Sequence, residues 1–196
     1  FFLQLYEVTG DETYLQEAKD AAEYLINTYK KEDVVNPGIY NGLSGQGLFL
    51  LYLNKLAADN KYVEFARTLA EDSYTQSIRD ESGIHWNGWY DYMGDGGVIA
   101  YWIYIAAVLG DKHFLDYAKE ALDAILSLKK EFRGEAIYFK LFDPSVYFKS
   151  VPSGGIVPNF AHGTAGIVYL LTKYYEATGD ESYLAYAVQG YKFLKE

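Results

Sequence analysis

Three segments of this chain open with the same Gly-x-x-Gly pattern, and each carries an aromatic residue 20 positions after its first glycine. They are Gly42-Leu-Ser-Gly45 with Tyr62, Gly94-Asp-Gly-Gly97 with Phe114, and Gly163-Thr-Ala-Gly166 with Tyr183. A turn precedes each aromatic: Ala58-Asp59-Asn60, Leu109-Gly110-Asp111 and Thr178-Gly179-Asp180. A fourth turn, Thr9-Gly10-Asp11 before Tyr14, belongs to a unit whose opening would fall ahead of Phe1, so the sequence reads as a segment of something longer. Internal repetition takes precedence over local assignments, because each unit is one supersecondary element stacked on its neighbours.

Each unit reads as a helical hairpin. An apolar stretch follows the Gly-x-x-Gly: Leu48–Leu53, Val98–Val108 and Ile167–Leu171. A helix apolar on most sides must be buried on most sides. An amphipathic stretch follows the turn, with Leu15, Ala18, Ala22, Leu25, Ile26 and Tyr29 at helical spacing and Glu17, Lys19, Asp20 and Glu23 between them. The turn glycine suits the left-handed end of one helix, and the aspartate can cap the next. Alternating buried and half-buried helices predict two concentric layers. The expected fold is all-α: an α/α toroid, a six- or seven-hairpin barrel, of which residues 1–196 supply part of one domain, about four hairpins. An open α-solenoid is the alternative.

Successive aromatics lie 48, 52 and 69 residues apart, so about 17 residues are inserted before Gly163. The insertion holds two β-prone runs, Ala136–Phe142 and Val146–Val151, around Asp143-Pro-Ser145. They predict a short β-hairpin near 136–151, either a surface elaboration or a lid over the ring opening.

Charge narrows the partners. Seventeen basic against 27 acidic residues give a net charge of −10, which does not attract nucleic acid or an anionic membrane by charge alone. No apolar run approaches the roughly 18 residues of a membrane-spanning helix, so no span is expected. The sequence has no cysteine, which excludes disulfides, thiolate ligands and a cysteine nucleophile within it. A cytoplasmic location is the expectation, although the lack of cysteine suits cytosol and exterior equally. The 21 tyrosines exceed what a core needs and suggest a lined cavity.

His162 stands out among the chemistry-bearing residues. It immediately precedes Gly163, at the mouth of an inner helix, where an imidazole can exchange a proton near neutral pH or serve as a cap. His85 precedes the second Gly-x-x-Gly by nine residues and can reach the same rim. His113 lies in a Gly-Asp turn and reads as exposed and inert. In His85-Trp-Asn-Gly-Trp-Tyr-Asp-Tyr-Met93, the residues Trp86, Trp89, Tyr90 and Tyr92 can form a substrate-binding wall, with Asp91 and Asp95 as carboxylates. The same rings can equally pack the loop onto its neighbours. Gly94-Asp-Gly-Gly97 lacks the Gly-Lys-Ser/Thr ending of a phosphate loop.

Asn41-Gly-Leu-Ser-Gly-Gln-Gly-Leu-Phe-Leu50 and Phe160-Ala-His-Gly-Thr-Ala-Gly-Ile167 resemble the lanthionine synthetase C-like family, the lantibiotic cyclases and their relatives. The resemblance implies an α/α toroid about twice this length with a zinc ion in its central cavity. It implies addition of a peptide cysteine thiol to dehydroalanine or dehydrobutyrine, the metal making the thiolate. The family histidine of Ala-His-Gly carries over to His162 as the acid–base residue. A family aspartate maps most nearly to Asp91, one residue out of register. The family's zinc ligands, two cysteines and a histidine, follow this motif and have no counterpart in residues 1–196, so the segment alone is expected to be inactive. The implied partner is a peptide or a small thiol. Two other readings stand beside this one. One is a carbohydrate-active six-hairpin enzyme, with Trp86, Trp89 and Tyr92 stacking on sugars and two carboxylates roughly 5–9.5 Å apart. The other is a non-catalytic peptide-binding scaffold.

Overall fold

The computed structural model describes residues 1–196 except 35, 82, 87, 88 and 142–155. Among the described residues the chain forms four helical hairpins: α1 (Phe2–Thr9) with α2 (Glu12–Thr28), α3 (Leu43–Ala57) with α4 (Asn60–Thr75), α5 (Asp95–Leu109) with α6 (His113–Ser127), and α7 (Thr164–Thr178) with α8 (Glu181–Leu194). Helices α3, α5 and α7 each begin one residue after the first glycine of a Gly-x-x-Gly, and each is 15 residues long. The predicted repeat is therefore the architectural unit.

Two layers result. Helix α3 packs on α5 and α5 on α7, while each second helix covers its own partner from outside. The middle inner helix is the most enclosed: Val98, Ile99, Tyr101, Trp102 and Ile105 have no exposed surface. Its near-continuous apolar sequence matches that environment. None of the described helices is long and apolar enough to cross a membrane.

The hairpin turns follow the predicted chemistry. Gly10, Gly110 and Gly179 take left-handed φ values of 68°, 65° and 75° at the helix ends. The aspartates Asp11, Asp59 and Asp180 accept from the amides of Thr13, Lys61 and Ser182 at 3.0–3.1 Å. The exception is Ala58, which holds φ 50° with a Cβ. A left-handed alanine is strained by roughly 1–2 kcal/mol. Ala58→Gly is therefore expected to raise stability by about 0.5–1 kcal/mol, read as a higher urea midpoint at unchanged slope.

Two small sheets interrupt the helices. Strand β1 (Ile78–Asp80) pairs antiparallel with β2 (Gly83–His85), a hairpin the sequence reading did not anticipate. Strand β3 (Lys129–Phe132) pairs antiparallel with β4 (Ala136–Phe139). The hairpin expected near 136–151 is thus present in its first strand, but that strand's partner lies upstream. Arg133 and Gly134 both take positive φ, 49° and 86°, and close a three-residue turn between the two strands. Its burial explains the choice: Ala136, Ile137 and Phe139 are buried, and β4 packs on α8. The expected second strand, 146–151, lies outside the described residues.

Four tyrosines tie the outer helices together. Tyr29 donates to Asp72, Tyr117 to Glu71, Tyr74 to Glu120 and Tyr183 to Asp123, at 2.6–3.4 Å. Each bond joins one hairpin to the next. A phenol suits the task because its ring packs between helices while its hydroxyl reaches a carboxylate at the surface.

Candidate functional site

The loops ahead of α3, α5 and α7 meet at one rim. A Cβ built on Gly38 would lie 3.0 Å from the Met93 carbonyl oxygen, and the Met93 amide donates to the Ala161 carbonyl at 3.3 Å. Each loop also folds back over the first turn of its own helix. A Cβ on Gly42, Gly94 or Gly163 would overlap the carbonyl oxygen of Asn36, Trp89 or Val157. Two of the second glycines also accommodate the loop ahead of the preceding inner helix: a Cβ on Gly97 would sit 2.8 Å from Ile39 Cβ, and one on Gly166 2.9 Å from Tyr92 Cβ, besides meeting the Phe160 carbonyl oxygen of its own loop. Gly42 and Gly163 have extended φ values of −143° and −145°, so the motif is required for space. It lets three loops crowd together.

That crowding joins two residues 71 positions apart. His162 Nδ1 lies 2.9 Å from Asp91 Oδ2. Asp91 is only 2% exposed, and its other carboxylate oxygen accepts from the Gly94 amide at 2.9 Å. Its main-chain carbonyl accepts from Gly96 at 2.9 Å. The His162 main-chain amide donates to Asn159 Oδ1 at 2.8 Å, while its ring is about one-third exposed. A carboxylate accepts and does not donate, so Nδ1 carries the proton in this pair. The aspartate thereby sets the tautomer of the ring and helps to fix its orientation.

The other predicted site residues are distributed differently. Trp86 is buried among core residues, its ring centroid 5.3 Å from that of Trp102 and its indole N–H donating to the Ser73 carbonyl at 2.6 Å. Asp95, 2% exposed, is the first residue of α5, and its Oδ2 accepts from the Trp86 amide at 3.2 Å. Trp89 is 43% exposed. Tyr90 is half-buried, its ring 6.0 Å from that of His85. Tyr92 is half-buried, and burial together with nearby Tyr169 raises its pKa. His85 does not join the pair; its Nε2 meets Asp80 Oδ2 at 3.0 Å within its own β-hairpin.

Two aromatic residues at the rim were missed by the sequence reading. Tyr92 packs on Phe160 at 4.7 Å and on Tyr169 at 5.8 Å, and the latter two rings are 5.3 Å apart. Phe160 sits inside the quoted Phe160-Ala-His-Gly string, so its position was the available signal. Tyr169 is one of many tyrosines, and nothing in the sequence distinguishes it.

His113 is not the inert surface residue expected. Its Nδ1 meets Asp111 Oδ1 at 2.6 Å and its Nε2 meets Glu71 Oε1 at 2.7 Å, with Arg67 on the far side of Asp111. Partial burial lowers the pKa of the ring, but the two carboxylates outweigh it and the net shift is upward. The bonds from His113 and Arg67 lower the Asp111 pKa to about 2. A raised folded-state pKa stabilises fully below the ordinary histidine value and fades as pH rises through the raised one. The lowered aspartate stabilises above its ordinary value and fades as pH falls towards about 2. The destabilisation caused by His113→Ala is therefore expected to be larger at about pH 5.5 than at about pH 8.5, measured by paired thermal melts.

Among the described residues no group of three or more His, Asp or Glu side chains could hold a metal ion, and the sequence supplies no cysteine. These donors do not fit the zinc site that the resemblance implies.

The sequence profile described as "Lanthionine synthetase C-like protein" matches residues 33–143. That span contains Asp91 and two of the three Gly-x-x-Gly motifs, while His162 follows it. No curated protein matches the chain. Among solved structures, the fold is similar to inactive variants of an alpha-1,6-mannanase of Salegentibacter sp. HEL1_6. The complex with alpha-1,6-mannotriose aligns at a TM-score of 0.58 and that with alpha-1,6-mannotetrose at 0.59. Both alignments have 21% identity and cover 94% of this chain but 54% of the mannanase. The chain thus spans about half the length of that enzyme, and the likeness establishes an α/α-toroid fold.

Proposed function

This chain belongs to the lanthionine synthetase C-like family, and from that premise we propose that the whole protein adds a thiol to a dehydroamino acid, with His162 as its acid–base residue and Asp91 as the residue that positions it. The observation that carries the proposal is the 2.9 Å contact between His162 Nδ1 and Asp91 Oδ2. The chemistry needs one group that can take and return a proton, held in a fixed orientation. The thiol sulfur bonds to the β-carbon, and the π pair of the double bond moves onto the α-carbon as an enolate. Nε2–H of His162 delivers a proton to that carbon. The proton released by the thiol recharges the imidazole, so S–H adds across C=C with no net change in protons. The zinc implied by the family would draw its ligands from residues outside 1–196 and would activate the thiol; no step assigned to His162 or Asp91 depends on it.

The glycosidase reading rests on fold likeness, and fold alone does not carry function. It would use Asp91 and Asp95 as acid and base, yet both are buried and bonded to backbone amides. The test is to incubate the whole protein with a dehydroalanine peptide and a thiol and follow the thioether by mass spectrometry. Acceleration over the protein-free rate is expected. No acceleration, together with cleavage of alpha-1,6-mannotriose, would replace this reading with the glycosidase one.

A further inference from the structure

The inner faces of α5 and α7 are separated by a groove of about 420 Å³, with Ala100, Ile103 and Tyr104 on one wall and Tyr169 and Lys173 on the other. Tyr169 also belongs to the rim cluster, touching Tyr92 and Phe160. Tyr92 follows Asp91 directly, and Phe160 precedes His162 by two residues. An aromatic cluster carried by the immediate sequence neighbours of the His162–Asp91 pair therefore meets the groove at Tyr169. Its rings are partly open to solvent: Phe160 and Tyr104 are each 46% exposed and Tyr169 is 38% exposed.

We infer that this groove is a subsite for an aromatic or branched apolar side chain lying next to the dehydroamino acid of a peptide substrate. The inference rests on the thiol-addition reading and names the substrate feature that the same site selects. Three observations choose this occupant. The volume accommodates one large side chain, whereas a helix of about 10–12 Å diameter would not enter it. Three of the lining residues, Ala100, Ala107 and Ala177, carry only a methyl group and leave room that longer side chains would fill. The cation is already committed: Lys173 pairs with Glu176 at 2.6 Å and lies 5.7 Å from the Tyr169 ring centroid. An acidic side chain therefore finds no unneutralised partner there.

The test compares two capped dipeptide probes with the whole protein, phenylalanyl-dehydroalanine and glycyl-dehydroalanine. Addition of a small thiol is measured for each, and binding of each probe without thiol is measured by calorimetry. The phenylalanyl probe is expected to show a kcat/KM and an affinity about tenfold higher, in line with burial of one aromatic side chain. Tyr104→Ala, which removes a wall, and Ala100→Trp, which fills the space, should each reduce that preference to within about twofold. Unchanged preference in both variants overturns the inference. So does a Tyr104→Ala protein that melts at lower temperature with its preference intact, because the groove is then filled by the protein itself. If neither probe reacts but the phenylalanyl preference in binding persists and is lost in both variants, the subsite stands and the thiol-addition reading falls. If the probes react at equal rates, the reaction stands and the subsite falls.

Discussion

Replacing His162 by alanine is expected to lower kcat/KM for thiol addition about 10²–10⁴-fold in the whole protein, the range typical for removal of a general acid–base group. The loss should fall on kcat, because protonation of the enolate is a transition-state event and not a binding one. Asp91→Asn should cost less, about 10²-fold, and should also change the shape of the pH–rate profile. The amide can present a donor to Nδ1, which removes the preference for the tautomer that leaves the proton-exchanging function to Nε2. The double variant should be no worse than His162→Ala alone, since both residues act through one ring. Additive losses, or a His162→Ala protein with full activity, would show that the pair is a structural contact.

Gly163→Ala is expected to destabilise the protein by about 1–3 kcal/mol, the usual cost of forcing an extra methyl into a filled space. The obstruction here is a backbone carbonyl, that of Val157, which cannot rotate out of the way as a side chain could. Residues 157–162 must shift instead, and His162 shifts with them. The same variant should therefore lose activity as well as stability, read from urea titration and the thioether assay. Gly110→Asn is the contrast. Gly110 has a left-handed φ of 65°, but nothing lies within 4 Å of where its Cβ would be. Asparagine tolerates that conformation, so this variant should stay close to wild type.

The hairpins, their limits and their layers were legible because each signal is local. A glycine at a helix end, an aspartate two residues ahead of the amide that it caps, and an apolar run at helical period all act over a few residues. The pairing of β4 was not legible, because Ala136–Phe139 can satisfy its edge with either neighbouring run, and burial against α8 accompanies one of them. The position of His113 was misread for a related reason. Its nearest carboxylate partner, Asp111, is local, but Glu71 comes from the previous hairpin, 42 residues away. Composition records the number of tyrosines and not their direction, so it did not show that Tyr29, Tyr74, Tyr117 and Tyr183 would bond between hairpins.

What the sequence determined by itself is the repeat: where each helix starts, which helices lie inside, and that glycine must stand where loops crowd the inner mouths. It also marked His162 and Asp91 separately, one from its place before Gly163 and the other as a carboxylate within the aromatic stretch His85–Met93. Only the tertiary structure decided that these two meet at 2.9 Å while Trp86 and Asp95 turn inward. The physical reason is that a helix start is specified by neighbours along the chain. A contact across 71 residues depends on how closely successive hairpins pack, and that closeness is set by side chains removed from every glycine at the rim.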